Sequence, residues 1–120
     1  MKVAVIGCGN IANAAHIPAY MKNAEVEIVY FCDILLDRAE AAVEKYGCGK
    51  AVRDYHDVLK DPEIEAVSVC TPNNVHASIA IDALRAGKHV LCEKPAARTY
   101  EEALEMQKVQ HETGKVLNIG

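Results

Sequence analysis

Lys2-Val-Ala-Val-Ile-Gly-Cys-Gly-Asn-Ile-Ala12 decides the fold of this chain. An apolar run, Val3 to Ile6, stops abruptly at Gly7; Gly9 and Ala12 follow, and the residues beyond read as a helix. Strand, tight turn and helix together give the G-x-G-x-x-(G/A) pattern its meaning. Gly7 lets the chain leave the strand sharply, because it lacks a Cβ that would clash in the turn. Gly9 allows the backbone to approach a pyrophosphate, and Ala12 keeps the helix close to the sheet. The N–H groups of the first helical turn, around Asn10 and Ile11, would face those phosphates with the positive end of the helix dipole behind them. Cys8, inside the turn, reads as a small side chain near the ligand and not as a chemical group.

Outward from that turn, the next apolar run is Val26 to Cys32, a second strand that ends in Asp33. Asp33 lies 21 residues after Ala12, close to the spacing of about 20 expected of the carboxylate that accepts from the adenosine ribose hydroxyls. An ordinary strand-to-helix turn followed by a solvated Asp is the plainer reading. The joint occurrence of glycines, second strand and carboxylate favours the dinucleotide site.

Composition narrows the class. The 120 residues read as one domain, with 51% hydrophobic and 25% charged residues, as in ordinary globular chains. Folding at this size buries roughly two-thirds of the chain's surface, enough for a core without staples. A net charge of -4 with no basic run argues against nucleic acid or an anionic membrane as partner. No apolar stretch approaches the roughly 18 residues of a membrane span, and the chain starts directly on a strand with no leader pattern. These features set the expectation of a cytoplasmic protein. The five cysteines are at 8, 32, 48, 70 and 92, never closer than sixteen residues, so no C-x-x-C pair exists. Cys32, Cys70 and Cys92 end apolar runs and read as buried, reduced hydrophobes.

Apolar runs alternate with helical stretches along the whole chain. Pro18 interrupts the first helix, so a break or restart is expected there, with Ile17, Tyr20 and Met21 packing inward. A strand over Glu27–Cys32 is followed by a helix over Leu36–Tyr46 with Gly47 as its C-cap. A short strand near Ala51–Val52 precedes a small helix capped by Asp54 and stopped at Asp61-Pro62. Ala66–Cys70 is a strand, apolar apart from Ser68, and a helix runs from about Val75 to Arg85. His89–Cys92 is a further strand. A long helix over Tyr100–Glu112 starts at a Thr99/Glu102 capping box and ends at Thr113-Gly114. Val116–Ile119 begins the last strand. The fold class is therefore α/β: a doubly wound parallel sheet of about six strands in the order 3-2-1-4-5-6, helices on both faces.

Ligands of such sheets bind outside the carboxyl ends of the strands, at the switch point between strands one and four. Four places turn polar there: Gly7–Ile11, Asp33, Thr71–Val75 and Glu93–Pro95. Thr71, Pro72, Asn73 and the following helix could line the ribose and nicotinamide end, or form only a Pro-Asn turn. His76, in the first helical turn, would act as neutral imidazole if it acts at all; a structural role is the other reading. Lys94 could donate to a substrate oxygen or relay a proton, with Pro95 fixing the direction of the chain. The plainer alternative is a solvated Lys beside Glu93. His16, His56, His89 and His111 share no ligand spacing, and no metal is expected.

Val5-Ile-Gly-Cys-Gly-Asn-Ile-Ala12, Cys32-Asp33, Cys70-Thr-Pro-Asn-Asn-Val-His76 and Ala86-Gly-Lys-His-Val-Leu-Cys-Glu-Lys-Pro95 together resemble the Gfo/Idh/MocA oxidoreductases. These are the relatives of glucose–fructose oxidoreductase and inositol dehydrogenase. The resemblance runs over all 120 residues, and Gly-Lys-His-Val-x-x-Glu-Lys-Pro is its most specific stretch. It implies an NAD(P)-binding Rossmann domain, with Lys94 as the catalytic residue by the nicotinamide and the substrate hydroxyl, and it allows a cis Lys94–Pro95 bond. It further implies hydride exchange with a hydroxyl carbon of a sugar, cyclitol or similar polyol, and a homo-oligomer for a full-length form. Gly7, Cys8, Gly9, Asn10, Ile11, Asp33, Thr71, Pro72, Asn73, His76, Glu93, Lys94 and Pro95 are the expected cofactor contacts. Asp33 would repel a 2′-phosphate, so NAD(H) is the expected cofactor, while Arg38 in the next helix leaves room for NADP(H). The family continues into a second domain that holds the substrate, whereas this sequence stops at Gly120. A cofactor domain of an oxidoreductase is thus the main expectation. A non-catalytic dinucleotide-binding or sensing module working with a partner chain is the alternative.

Overall fold

The computed structural model describes residues 1–9, 12, 16–71, 75–92 and 99–119, with only the backbone at 76 and 119. Six strands form one sheet: β1 (Lys2–Ile6), β2 (Glu27–Cys32), β3 (Lys50–Val52), β4 (Ala66–Val69), β5 (His89–Cys92) and β6 (Leu117–Ile119). Every pairing is parallel and the order is β3-β2-β1-β4-β5-β6, as the sequence predicts. Among the described residues five helices connect them: α1 (Ile17–Met21), α2 (Leu36–Tyr46), α3 (Tyr55–Leu59), α4 (His76–Arg85) and α5 (Tyr100–Thr113).

Alternation along the central strand divides the core between the two faces. Val3 and Val5 pack on one side with Ile17 of α1, Phe31, and Ala39 and Ala42 of α2. Ala4 and Ile6 pack on the other with Val58 of α3, Ala80 and Leu84 of α4, and Met106 and Val109 of α5. Apolar residues on both sides of β1 are what a strand covered on both faces requires. Ser68, the one polar residue of β4, is fully buried; its hydroxyl is hydrogen-bonded to that of Tyr20 from α1. Burial is the main reason the Tyr20 hydroxyl has a raised pKa.

Local signals hold at the helix ends. Asp54 caps α3 by accepting from His56 N–H at 2.9 Å, and Thr99 caps α5 by accepting from Glu102 N–H at 3.1 Å. Gly47 and Gly114 close α2 and α5 in the left-handed conformation. Pro18 sits in the first turn of the short α1, where its missing N–H costs nothing. Two expectations fail locally. Met21 is 47% exposed, because α1 ends there and the residue turns outward, its Sδ 3.9 Å from Cys48 Sγ. Cys70 lies one residue beyond β4 and is half-buried, although its N–H still bonds the Ile6 carbonyl at 2.8 Å. Cys8, Cys32 and Cys92 are buried, and all five cysteines are free thiols. Among the described residues no helix is long and apolar enough to cross a membrane.

Candidate functional site

β1 is flanked by β2 and β4, and its ladder ends at Ile6 opposite Cys32 on one side and Val69 on the other. The next residue carries the connection onward, since Gly7 N–H donates to the Cys32 carbonyl at 2.7 Å. Gly7 has φ +92°, and a Cβ there would lie 2.7 Å from the Cys70 carbonyl carbon and 2.8 Å from Thr71 N. Both the turn and the backbone leaving β4 therefore exclude a side chain at this position. Thr71 is thereby set against the glycine turn from the neighbouring strand.

Gly9 answers to something else. Its φ is not positive, and among the described residues a Cβ there would meet nothing nearer than Arg38 Nη1 at 3.7 Å. Among the described residues nothing demands a glycine here, and this fits a close approach by a group brought by a ligand. Ala12 is fully buried in the same packed layer as Val5 and Cys8.

Asp33 closes the other side of the turn. Its Oδ2 accepts from Cys8 N–H and its Oδ1 from Leu35 N–H, each at 2.9 Å, while its own N–H donates to the Val52 carbonyl at 3.1 Å. The carboxylate is thus fixed between the glycine turn and the start of α2. Each oxygen keeps a lone pair for a hydroxyl donor. Cys8 is buried with Sγ 3.5 Å from the Cys32 carbonyl. Burial first, and the Asp33 charge second, push its thiol up to about 12. The thiolate, which is the reactive form, is absent near neutral pH, in keeping with the reading of Cys8 as a small filler.

Gly7, Cys8, Gly9, Asp33 and Thr71 therefore meet at the carboxyl edge of the sheet. His76 opens α4 on the same edge. Asn10, Ile11, Pro72, Asn73, Glu93, Lys94 and Pro95 lie outside the described residues. Lys94 follows Cys92, the end of β5, by two residues, and Cys92 pairs with Val69 of β4. Arg38 and Arg53 also belong to this edge; Arg53 was invisible to sequence spacing because only strand pairing brings it near Asp33. Among the described residues no group of three or more His, Cys, Asp or Glu could hold a metal ion.

Comparison with known proteins agrees with this geometry. The family described as "Oxidoreductase family, NAD-binding Rossmann fold" (GFO_IDH_MocA) matches residues 1–120. The chain belongs to the Gfo/Idh/MocA family. It is 41% identical over 117 residues to D-glucoside 3-dehydrogenase of Escherichia coli (strain K12), a match covering 98% of this chain and 33% of that protein. Inositol 2-dehydrogenase of Salmonella typhimurium (strain LT2) is 36% identical over 96% of the chain and 34% of its own length. Among solved structures, a 3-ketoreductase from Actinomadura kijaniata in complex with NADP superposes with a TM-score of 0.92 at 34% identity, covering 100% of this chain and 37% of that one. The WlbA dehydrogenase from Chromobacterium violaceum, in complex with NADH, gives 0.92 at 35% identity over 100% of this chain and 34% of its own. The chain thus spans about a third of the length of the relatives it matches. As a member of this Gfo/Idh/MocA family it is an NAD(P)-binding oxidoreductase domain with a doubly wound parallel sheet.

Proposed function

We propose that this Gfo/Idh/MocA chain is the cofactor half of an oxidoreductase acting on a hydroxyl carbon of a sugar, cyclitol or similar polyol, with substrate held by a second domain. The observation that carries the reading is the fixed Asp33 carboxylate beside the glycine turn at the switch point between β1 and β4, where no described residue crowds Gly9. A bound nicotinamide dinucleotide would supply the hydride acceptor or donor there. Gly7, Cys8, Gly9, Asn10 and Ile11 hold its pyrophosphate, and Asp33 accepts from the adenosine ribose. Thr71, Pro72, Asn73 and His76 line the nicotinamide side. Glu93, Lys94 and Pro95, which follow β5 in the sequence, belong to the same set of contacts.

Asp33 sets a preference for NAD(H), because its carboxylate repels a 2′-phosphate. Lys94 would take the substrate hydroxyl proton as the C–H bond breaks and return it in the reverse direction. The reaction needs the substrate carbon held against the nicotinamide in an aligned pose; the relatives, about three times as long, support the participation of a further domain. The test is steady-state oxidation of myo-inositol and alkyl glucosides by the polypeptide that carries this chain. Lys94→Met should lower kcat by about 10²–10⁴-fold with NADH affinity kept. Unchanged turnover in that variant would remove Lys94 from the chemistry.

A further inference from the structure

His89 opens β5 at the edge of the sheet opposite the glycine turn. Its backbone N–H donates to the Glu65 carbonyl at 3.0 Å, on the side of β4. Its ring works on the other side, where Nδ1 accepts from Val116 N–H at 3.0 Å. Val90 N–H donates to the Val116 carbonyl at 2.8 Å, so the start of β5 grips both backbone groups of Val116. Leu117, the next residue, pairs with Val90 and begins β6, three residues at the edge of the sheet. In a parallel ladder carried one step further, a backbone carbonyl would take the Val116 N–H; here a side chain does. Val116 is 49% exposed, so its attachment leans on these two bonds.

An imidazole nitrogen that accepts carries no proton, and both ring nitrogens are donors once the ring is charged. The bond from Val116 N–H therefore exists only with a neutral His89 whose ring proton sits on Nε2. Histidine is also the side chain that ordinarily changes charge near neutral pH. We propose that His89 is an acid-sensitive latch on the last strand: neutral, it holds Val116 and the start of β6 on β5, and protonated, it lets them go. Three charged residues border it. Glu65, on the side of β4, receives Lys2 N–H on its carboxylate at 2.9 Å. Lys88, the preceding residue, donates from Nζ to the Asp61 carbonyl at 2.7 Å. Lys115 adjoins Val116. None of the ion pairs among the described residues engages the His89 ring. A released β6 leaves the N–H and C=O groups on that side of β5 as an open sheet edge.

Amide hydrogen exchange across a pH series, read by NMR alongside the ring shifts of His89, tests this. The protection factor of the Val116 amide should fall by about two- to tenfold on acidification, the worth of one hydrogen bond. Its midpoint should coincide with that of the ring titration, while Phe31 in the interior strand β2 keeps its protection. His89→Asn offers an acceptor near the place of Nδ1 that does not titrate, and His89→Phe offers none. Neither variant should show the step, and thermal unfolding checks that each still folds. A step that survives in a folded variant would assign it to Glu65 or another carboxylate and overturn the proposal. Wild-type Val116 protection that ignores the charge of the His89 ring would overturn it as well, and that comparison decides the matter even if a substitution unfolds the chain.

Discussion

A methyl group on Gly7 would sit 2.7 Å from the Cys70 carbonyl carbon in a backbone at φ +92°, whereas one on Gly9 would touch, among the described residues, only the end of Arg38 at 3.7 Å. The same residue type, two positions apart, thus serves two masters: the fold at Gly7 and a ligand at Gly9. Gly7→Ala is expected to destabilise the chain by about 2–6 kcal/mol, combining overpacking and backbone strain, as read by urea unfolding. Asp33 also has two roles, because the carboxylate placed for a ribose also receives the Cys8 and Leu35 N–H groups. Asp33→Ala should therefore weaken NAD(H) binding and improve NADP(H) relative to it, while loosening the glycine turn for both. Parallel titrations check the ratio, and an unchanged ratio would remove Asp33 as the discriminating residue.

Helices α3 and α4 are joined by a polar contact that no strand pattern announces. The Tyr55 hydroxyl donates to Asp82, and the Tyr55 ring stacks on His56 with centroids 4.2 Å apart. Burial, then the bond to Asp82, pushes the Tyr55 hydroxyl up from 10.0 to about 12. In the unfolded chain the phenol ionises first, so the unfolded state binds fewer protons between these values and stability falls as pH rises from 10.0 to about 12. Denaturant midpoints across that window should drop less steeply in Tyr55→Phe than in wild type; equal slopes would show that the contact carries no linkage. Elements set by period and punctuation were legible. The bounds Glu27–Cys32, Leu36–Tyr46 and His89–Cys92 match the observed β2, α2 and β5, because each has an unbroken apolar pattern and a clear stop. Met21 was misread because a five-residue helix has too little length for a face to show in the sequence. Side-chain ties across elements, such as Tyr55 to Asp82 and Tyr20 to Ser68, depend on tertiary packing and leave no periodic trace.

At the scale of the whole molecule, one arrangement explains the rest. Three parallel strands with β1 at their centre bring the glycine turn, Asp33 and Thr71 to a single edge. That convergence was legible because the strand order follows from alternating strands and helices with right-handed crossovers. Arg53 was less so: its backbone reaches this edge by lateral pairing of β2 and β3, which a linear spacing cannot express. Lys88 gives the converse case. It belongs to the Gly-Lys-His-Val-x-x-Glu-Lys-Pro stretch that carries the resemblance, yet it is 4% exposed and donates to the Asp61 carbonyl at 2.7 Å. It precedes β5, at the sheet edge opposite the site, so part of that motif serves packing.

The central claim is that the space over Gly9 belongs to a nicotinamide dinucleotide. Calorimetric titration of NADH into the wild-type chain and into Gly9→Ala, with thermal unfolding of both, tests it most directly. Wild type is expected to bind NADH and to be stabilised by about 2.7 kcal/mol at a hundredfold excess over Kd. Gly9→Ala should keep the unliganded Tm and lose most of the affinity. A wild-type chain that does not bind, or a Gly9→Ala chain that binds equally well, would contradict it.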